Sequence, residues 1–324
     1  MLSDRFGRTI DYLRVSVTDR CDLRCSYCIP KGFKGFEEPE NWLTFDEMER
    51  VIAAFARLGT RRFRLTGGEP LLRRNLPALA ARLSALPGVE DLSLTTNGTQ
   101  LDKHAKALFD AGLNRLNVSL DSLRRDCVQE ISGSDSLEKV LHGLSAARDA
   151  GFKTIKINMV PMVGVNDGDI EAMIAFCIEH GFILRLIEAM PMGSTGQHTQ
   201  GLNLSRLLAD LSQRFELQES CKTLGGGPAR YWESRDGRFT LGLITPMSQH
   251  FCATCNRVRL SVDGTMYMCL GQEERFELRP LLRAGCSDAE LEAAIRHAIE
   301  LKPEKHEFIE RPNQVVRFMS MTGG

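Results

Sequence analysis

Between residues 12 and 188 the chain alternates two hydrophobic periods. Short runs with apolar residues at every second position, or without interruption, predict strands at 12–17, 63–66, 92–95, 115–119, 154–159 and 183–188. Longer stretches with apolar residues three and four apart predict helices at 76–85, 102–111, 137–150 and 170–180. Another helix runs from the capping box Thr44-Phe45-Asp46-Glu47 to about Leu58. Strands alternating with helices through turns such as Ala150-Gly151 and His180-Gly181 argue for an α/β fold, a parallel sheet with right-handed crossovers. Six units are too few to close an eight-stranded barrel, which leaves an open partial (β/α)6 barrel or a doubly wound sheet. Either one gathers its ligands at the carboxyl ends of the strands.

From about Pro191 the rhythm lapses. Residues 193–201 read as a glycine-rich connection, 205–215 as a helix, and Gly225-Gly226-Gly227 as part of a turn-rich link. Tyr231-Trp232 and residues 239–244 flank Asp236-Gly237, a hairpin dipeptide. Strands at 258–262 and 265–269 flank a second one, Asp263-Gly264, and an ideal two-residue turn there pairs Val258 with Cys269. The expected organisation is therefore a partial barrel over 1–192 and a C-terminal region of different architecture over 193–324.

Composition narrows the function classes. With 324 residues, 43% of them hydrophobic, the chain can bury a barrel-sized core. A net charge of −1 gives no global field for nucleic acid or an anionic membrane, so an anionic ligand must be met by local arginines and lysines. No apolar run approaches membrane-spanning length and the first residues lack a signal-peptide core, so the expected location is the cytoplasm. Six of the ten cysteines fall into two tight groups with metal-ligand character. Cys127, Cys177, Cys221 and Cys286 are scattered and read as packing residues.

The first group, Cys21-Asp22-Leu23-Arg24-Cys25-Ser26-Tyr27-Cys28, follows the first predicted strand. Three thiolates on a four-iron cluster leave one iron free for a small molecule, whereas a closed zinc site wants four ligands. The second strand ends in Thr66-Gly67-Gly68-Glu69-Pro70, where paired glycines let backbone approach a ligand. Arg14, Arg64, Lys156 and Arg185 lie on predicted strands. Basic strand residues usually snorkel at an edge, but four on one sheet of an uncharged chain point to a converging anion site. The second cysteine group is Cys252, Cys255 and Cys269, with Arg257 and Arg259 between them on one strand face. It fits either a second cluster or zinc with His250 or a distant cysteine as fourth ligand. The terminal Gly323-Gly324 is either frayed or threads a site too narrow for side chains.

The cysteine spacing, with Tyr27 directly before Cys28, resembles the radical S-adenosylmethionine superfamily. Together with Gly-Gly-Glu-Pro, the second cysteine group, the arginine pair and the glycine tail, the chain from Arg8 to Gly324 resembles the GTP 3′,8-cyclase family. Asp22 and Ile29 stand where that pattern has asparagine and methionine. The resemblance favours the partial barrel and implies the first step of molybdenum cofactor biosynthesis. A radical made from S-adenosylmethionine abstracts hydrogen from the ribose 3′ carbon of GTP, and that carbon then attacks C8 of guanine. It implies two 4Fe-4S clusters, on Cys21, Cys25 and Cys28 and on Cys252, Cys255 and Cys269. It implies S-adenosylmethionine contacts from Tyr27, Gly68, Ser119 and Met190, and GTP contacts from Arg14, Arg64, Thr95, Lys156, Arg257, Val258 and Arg259. Arg185, Gly323 and Gly324 complete the catalytic set. The implied partners are GTP, an external one-electron donor and the next enzyme, cyclic pyranopterin monophosphate synthase. Nucleic acid and membrane are not among them, and a homodimer is compatible. A peptide-modifying radical enzyme and a non-catalytic iron–sulfur redox sensor are the rival readings. The first would more often carry a longer cysteine-rich tail, and the second leaves the basic strand residues unexplained.

Overall fold

The structure, a computed structural model, describes residues 1–222 and 224–323. The predicted strands appear as β1 (Tyr12–Ser16), β2 (Arg62–Thr66), β3 (Asp91–Thr96), β4 (Arg115–Ser119), β5 (Ile155–Met159) and β6 (Ile183–Ile187). The intervening helices are α1 (Phe45–Arg57), α2 (Leu76–Ser84), α3 (Leu101–Asp110), α4 (Arg125–Ser132), α5 (Leu137–Ala150) and α6 (Ile170–His180). The capping box at Thr44 and Glu47 forms in full, and Gly151 and Gly181 close their helices in the left-handed region. Helix α4 was not foreseen from the sequence. It is a single short amphipathic segment that buries Cys127, Val128 and Ile131.

The C-terminal region does not build a sheet of its own. Its strands are β7 (Leu217–Ser220), β8 (Arg230–Ser234), β9 (Thr240–Ile244), β10 (Arg257–Leu260), β11 (Thr265–Tyr267) and β12 (Arg275–Glu277). They extend both edges of one sheet in the order β12-β11-β10-β1-β2-β3-β4-β5-β6-β9-β8-β7. The eight strands from β10 to β9 are all parallel, two more than the six units expected. The barrel stays open because its outermost strands pair antiparallel with β11 and β8 instead of with each other. Among the described residues no helix is long and apolar enough to cross a membrane.

Register explains the architecture. One row runs Val258, Leu13, Phe63 and Leu92, and another runs Ile155, Leu116 and Leu94; all face the helices and are at most 2% exposed. The adjacent rows are polar: Arg259, Arg14, Arg64 and Ser93 in one, Thr95, Asn117 and Lys156 in another, Asn158 and Arg185 in a third. Parallel strands covered on both faces read as continuous apolar runs. Here the period of two puts these polar rows on the concave face, so that face encloses a cavity.

The second hairpin corrects the expected register. Arg259 pairs with Tyr267 and Leu260 with Met266, and Ser261 N donates to Thr265 O at 2.9 Å. The loop is thus three residues, Val262-Asp263-Gly264, with Gly264 in the left-handed region, the bulged alternative to a two-residue turn. Asp263 favours it by accepting from Thr265 N at 3.2 Å. The shift of one residue moves Arg257 and Arg259 onto the same face as Tyr267, and β11 ends before Cys269.

Replacing Leu94 by alanine on the convex face should destabilise the protein by about 3 kcal/mol through the cavity it leaves. Replacing its neighbour Thr95 by alanine on the concave face should cause no loss of stability, because it removes a hydroxyl that is buried without a partner. Urea denaturation of the two variants separates these outcomes, and equal losses would contradict the assignment of faces.

Candidate functional site

The concave face encloses a cavity of about 280 Å³ that runs from the carboxyl ends of the strands, beside the first cysteine group, down to the amino-terminal end of β10, where Cys255 and Arg257 lie. Both cysteine groups line it, together with Arg14, Arg64, Thr95, Ser119, Arg185, Arg257 and Arg259 from the strands and Tyr27, Gly68 and Met190 from the loops. Residues separated by more than two hundred positions in sequence thus share one chamber. Val258 also lines it, but its side chain belongs to the convex row, so only its backbone faces the cavity. Lys156 is not part of the lining. It lies fully buried beneath, its ammonium donating to Tyr231 Oη at 2.9 Å and to the carbonyl of Leu224. Burial, with Arg185, Arg115 and Arg64 nearby, pushes its pKa down to about 6.

The first cysteine loop is fixed from three sides. Arg24 N and Ser26 N donate to Ser132 O and Ile131 O at 2.8 Å, which is the role of the unforeseen helix α4. Asp22 accepts from Asn97 Nδ2 at 2.8 Å and Thr99 Oγ1 at 2.6 Å, tying the loop to the exit of β3. Gly68 N and Glu69 N donate to Thr18 O and Arg20 O at 2.8 and 2.7 Å. A β-carbon on Gly67 would collide with Thr18 O, and one on Gly68 with the carbonyls of Arg20 and Asp19. The glycine pair therefore presses the motif against the loop as well as lining the cavity. Glu69 is fully buried and accepts from Thr96 Oγ1, Leu71 N and Asn97 N at 2.7, 3.0 and 2.6 Å. Burial still raises its carboxyl to about 7. Its oxygens are committed to the scaffold. Tyr27 Oη donates to Asp121 at 2.7 Å, and burial followed by that carboxylate raises the phenol well above its ordinary value.

The concave wall is cationic. Arg185 is held by Asn158 at 2.9 Å and Asn117 at 2.6 Å, both neutral amides. Burial, then Arg259 and Arg64, lower Arg14 well below the usual arginine value; Arg64 falls to about 10 and Arg259 to about 9, burial again being the first cause. Among the described residues that line the cavity, the Nε of Arg14, Nη2 of Arg64, Nε of Arg257 and Oγ1 of Thr95 are buried without a hydrogen-bond partner. Leaving each such group unsatisfied costs about 1–3 kcal/mol, so the wall is built for an anionic, acceptor-rich ligand.

The chain's end enters the same wall. Arg259 Nη1 donates to Thr322 O at 3.2 Å and to the carbonyl of Gly323. Gly323 has φ +74°, and a β-carbon there would collide with Thr66 at the exit of β2. Gly324 lies outside the described residues.

Around the second cysteine group the structure adds residues the sequence reading missed. Arg8 Nη1 donates to Cys252 O at 2.8 Å and Arg317 Nη2 to Cys269 O at 3.0 Å. Lys302 Nζ donates to Cys255 Sγ at 3.4 Å. His250, the candidate fourth zinc ligand, is not in the lining; His306 is, with Nε2 at 2.8 Å from Pro246 O. Among the described residues no group of three or more His, Cys, Asp or Glu side chains is arranged to hold a single metal ion. The donor sets themselves, three thiols each with a scaffold donor on sulfur at Cys21 and Cys255, suit iron–sulfur clusters.

Residues 15–177 match the model of the radical SAM superfamily, and residues 182–308 match that of the molybdenum cofactor synthesis C-terminal domain. A GTP 3′,8-cyclase of Pseudomonas putida is 45% identical over the whole of this chain and 98% of its own. GTP 3′,8-cyclase 2 of Pseudomonas aeruginosa is likewise 45% identical, with the same coverage. Among solved structures, Streptococcus suis SuiB bound to S-adenosylmethionine superposes with a TM-score of 0.66 at 15% identity, covering 96% of this chain and 76% of that one, a likeness of fold. On this identity over its full length, the chain belongs to the GTP 3′,8-cyclase family of the radical SAM superfamily.

Proposed function

We infer that this enzyme cyclises GTP to (8S)-3′,8-cyclo-7,8-dihydroguanosine 5′-triphosphate, the first step of molybdenum cofactor biosynthesis, and is by reaction class a lyase. The observation that carries the reading is that both cysteine triads line one chamber together with unpartnered cationic and hydroxyl donors. When bound at Cys21, Cys25 and Cys28, a reduced 4Fe-4S cluster with S-adenosylmethionine supplies the hydrogen-abstracting radical. All else in the proposal concerns what the protein's own residues do.

Tyr27, Gly68, Ser119 and Met190 hold S-adenosylmethionine at the strand exits nearest the first triad. Arg14, Arg64, Thr95, Arg257, the backbone of Val258 and Arg259 meet GTP, whose phosphates and guanine supply the acceptors that this wall lacks. Lys156 acts from beneath, adding a donor layer under the nucleotide. Arg185 stands between the two ligand positions, held at a fixed orientation by Asn117 and Asn158. Such positioning, with water excluded, is the protein's main contribution to a radical reaction. Cys252, Cys255 and Cys269 hold a second cluster at the other side of the chamber. In this reading residues 1–192 form the radical-generating half and residues 193–324 bring the second cluster and close the wall. The setting is cytoplasmic, electrons come from an external low-potential donor, and the product passes to cyclic pyranopterin monophosphate synthase. A homodimer is compatible with the fold, since none of the proposed ligands needs a second chain.

Anaerobically reconstituted protein incubated with GTP, S-adenosylmethionine and dithionite should yield 5′-deoxyadenosine and a cyclised GTP isomer in equal amounts. Cleavage of S-adenosylmethionine that neither depends on GTP nor consumes it would overturn the reading.

Replacing any one of Cys21, Cys25 or Cys28 by alanine should abolish 5′-deoxyadenosine formation, measured by chromatography of quenched reactions. Replacing Arg259 by alanine should weaken GTP binding roughly ten- to hundredfold in calorimetry, because it removes charge-assisted bonds of about 1.5–3 kcal/mol, and should leave iron content unchanged. Gly323→Ala places a side chain against Thr66 at a positive φ, a strain of about 1–3 kcal/mol. Cyclisation should fall roughly ten- to hundredfold while both clusters assemble; an unchanged rate would show that the tail plays no part.

A further inference from the structure

Lys302 follows the helix Asp288–Glu300, which is anchored to α1 by Arg50–Asp288 and Arg57–Glu292 ion pairs at 3.0 and 2.6 Å. Its side chain is 2% exposed. The ammonium has three donors, and all three are used: on Cys255 Sγ at 3.4 Å, on Arg257 O at 3.0 Å and on Met268 O at 2.7 Å. No carboxylate takes any of them. A buried cation whose partners are a thiol and two neutral carbonyls is uncompensated, and an isolated buried charge is costly enough that proteins normally pair it. The acceptor here that becomes anionic on binding metal is Cys255. The two carbonyls belong to the segments that carry the rest of the triad, since Arg257 follows Cys255 by two residues and Met268 directly precedes Cys269.

Resting on the reading that this triad holds a cluster, we propose that Lys302 is the fixed counter-charge of that second cluster and the positioning residue that brings the Cys255 and Cys269 segments to it. Reduction of the cluster adds one negative charge, supplied with the electron from the donor, and the ammonium at the Cys255 sulfur stabilises that form. Hydrogen bonds and charges at the sulfurs are the means by which a protein sets a cluster's potential. The geometry separates this role from general packing, since an apolar side chain could fill the space but could satisfy neither the sulfur nor the two carbonyls.

The test uses full-length protein reconstituted anaerobically, as parent, Lys302→Gln and Lys302→Arg, with iron analysis and a redox titration followed by electron paramagnetic resonance. The glutamine variant keeps donors and removes the charge. Its second-cluster midpoint should shift to lower potential, or its second-cluster signal should be lost, with the first-cluster signal retained; Lys302→Arg should restore the parent behaviour. Two clusters in the parent and an unchanged second midpoint in Lys302→Gln would overturn the proposal alone. One cluster in the parent would overturn the reading beneath it as well. If Lys302→Gln does not fold, Lys302→Arg decides: a midpoint near the parent's supports the counter-charge, and a downward shift with the charge retained overturns it.

Discussion

Guanidinium groups on the concave face of a parallel sheet cannot be buried by packing a helix over them, and the rest of this structure follows from that constraint. Arg259, Arg14 and Arg64 stand side by side across three adjacent strands, a row in which each charge disfavours its neighbours. A sheet covered on both faces would place leucine or valine at those positions. Because it does not, the strands curve around a chamber, helices α1–α6 cover the convex side, and the C-terminal region must reach around to close the opening. It does so by adding β10 beside β1 and β9 beside β6, so that the second cysteine group arrives opposite the first. The cost of the buried cations is relieved only when an anion enters, which couples the architecture to the ligand.

The neutral partners of Arg185 serve the same end. It is held by two asparagine amides, where a carboxylate would fix the side chain equally well but would cancel its field at the chamber. The strand cations that are paired with carboxylates lie at the amino-terminal ends of their strands: Asp91 pairs with Arg115 and Asp11 with Arg62.

Much of this was legible in the sequence, for identifiable reasons. The first six strands and their helices carry strong periodic patterns, and the Thr44 capping box and the two cysteine groups are local signals. What failed to show depended on partners distant in the chain. β9 and β10 look like ordinary hairpin strands, and nothing local says that they pair in parallel with β6 and β1. Asp263-Gly264 reads as a two-residue turn, but the side chains of Asp263 and Ser261 draw in a third residue and shift the register by one. Arg8, Lys302 and Arg317 are isolated basic residues in irregular segments, and no spacing rule connects them with Cys252, Cys255 and Cys269. One signal was available: Lys302 lies just past the C-cap of an amphipathic helix opened by a Ser-x-x-Glu box, where a cation would ordinarily point to solvent.

Arg259 shows how the two halves of the chamber are linked. Its guanidinium bonds the carbonyls of Thr322 and Gly323 while its row partner Arg14 keeps a buried Nε without a partner. The tail therefore satisfies part of one arginine and leaves the adjacent one for a ligand. A side chain at this position would run into the ends of β1 and β2 over which Gly323 lies, since even a β-carbon meets Thr66 and approaches Ser16 there. Glycine lets backbone carbonyls reach the guanidinium while Ser16 Oγ stays unpartnered and free to donate. The tail is in this sense a ninth element of the wall. Through the carbonyls of Thr322 and Gly323 it supplies Arg259 with acceptors, as Asn117 and Asn158 do for Arg185, and so orients the guanidinium.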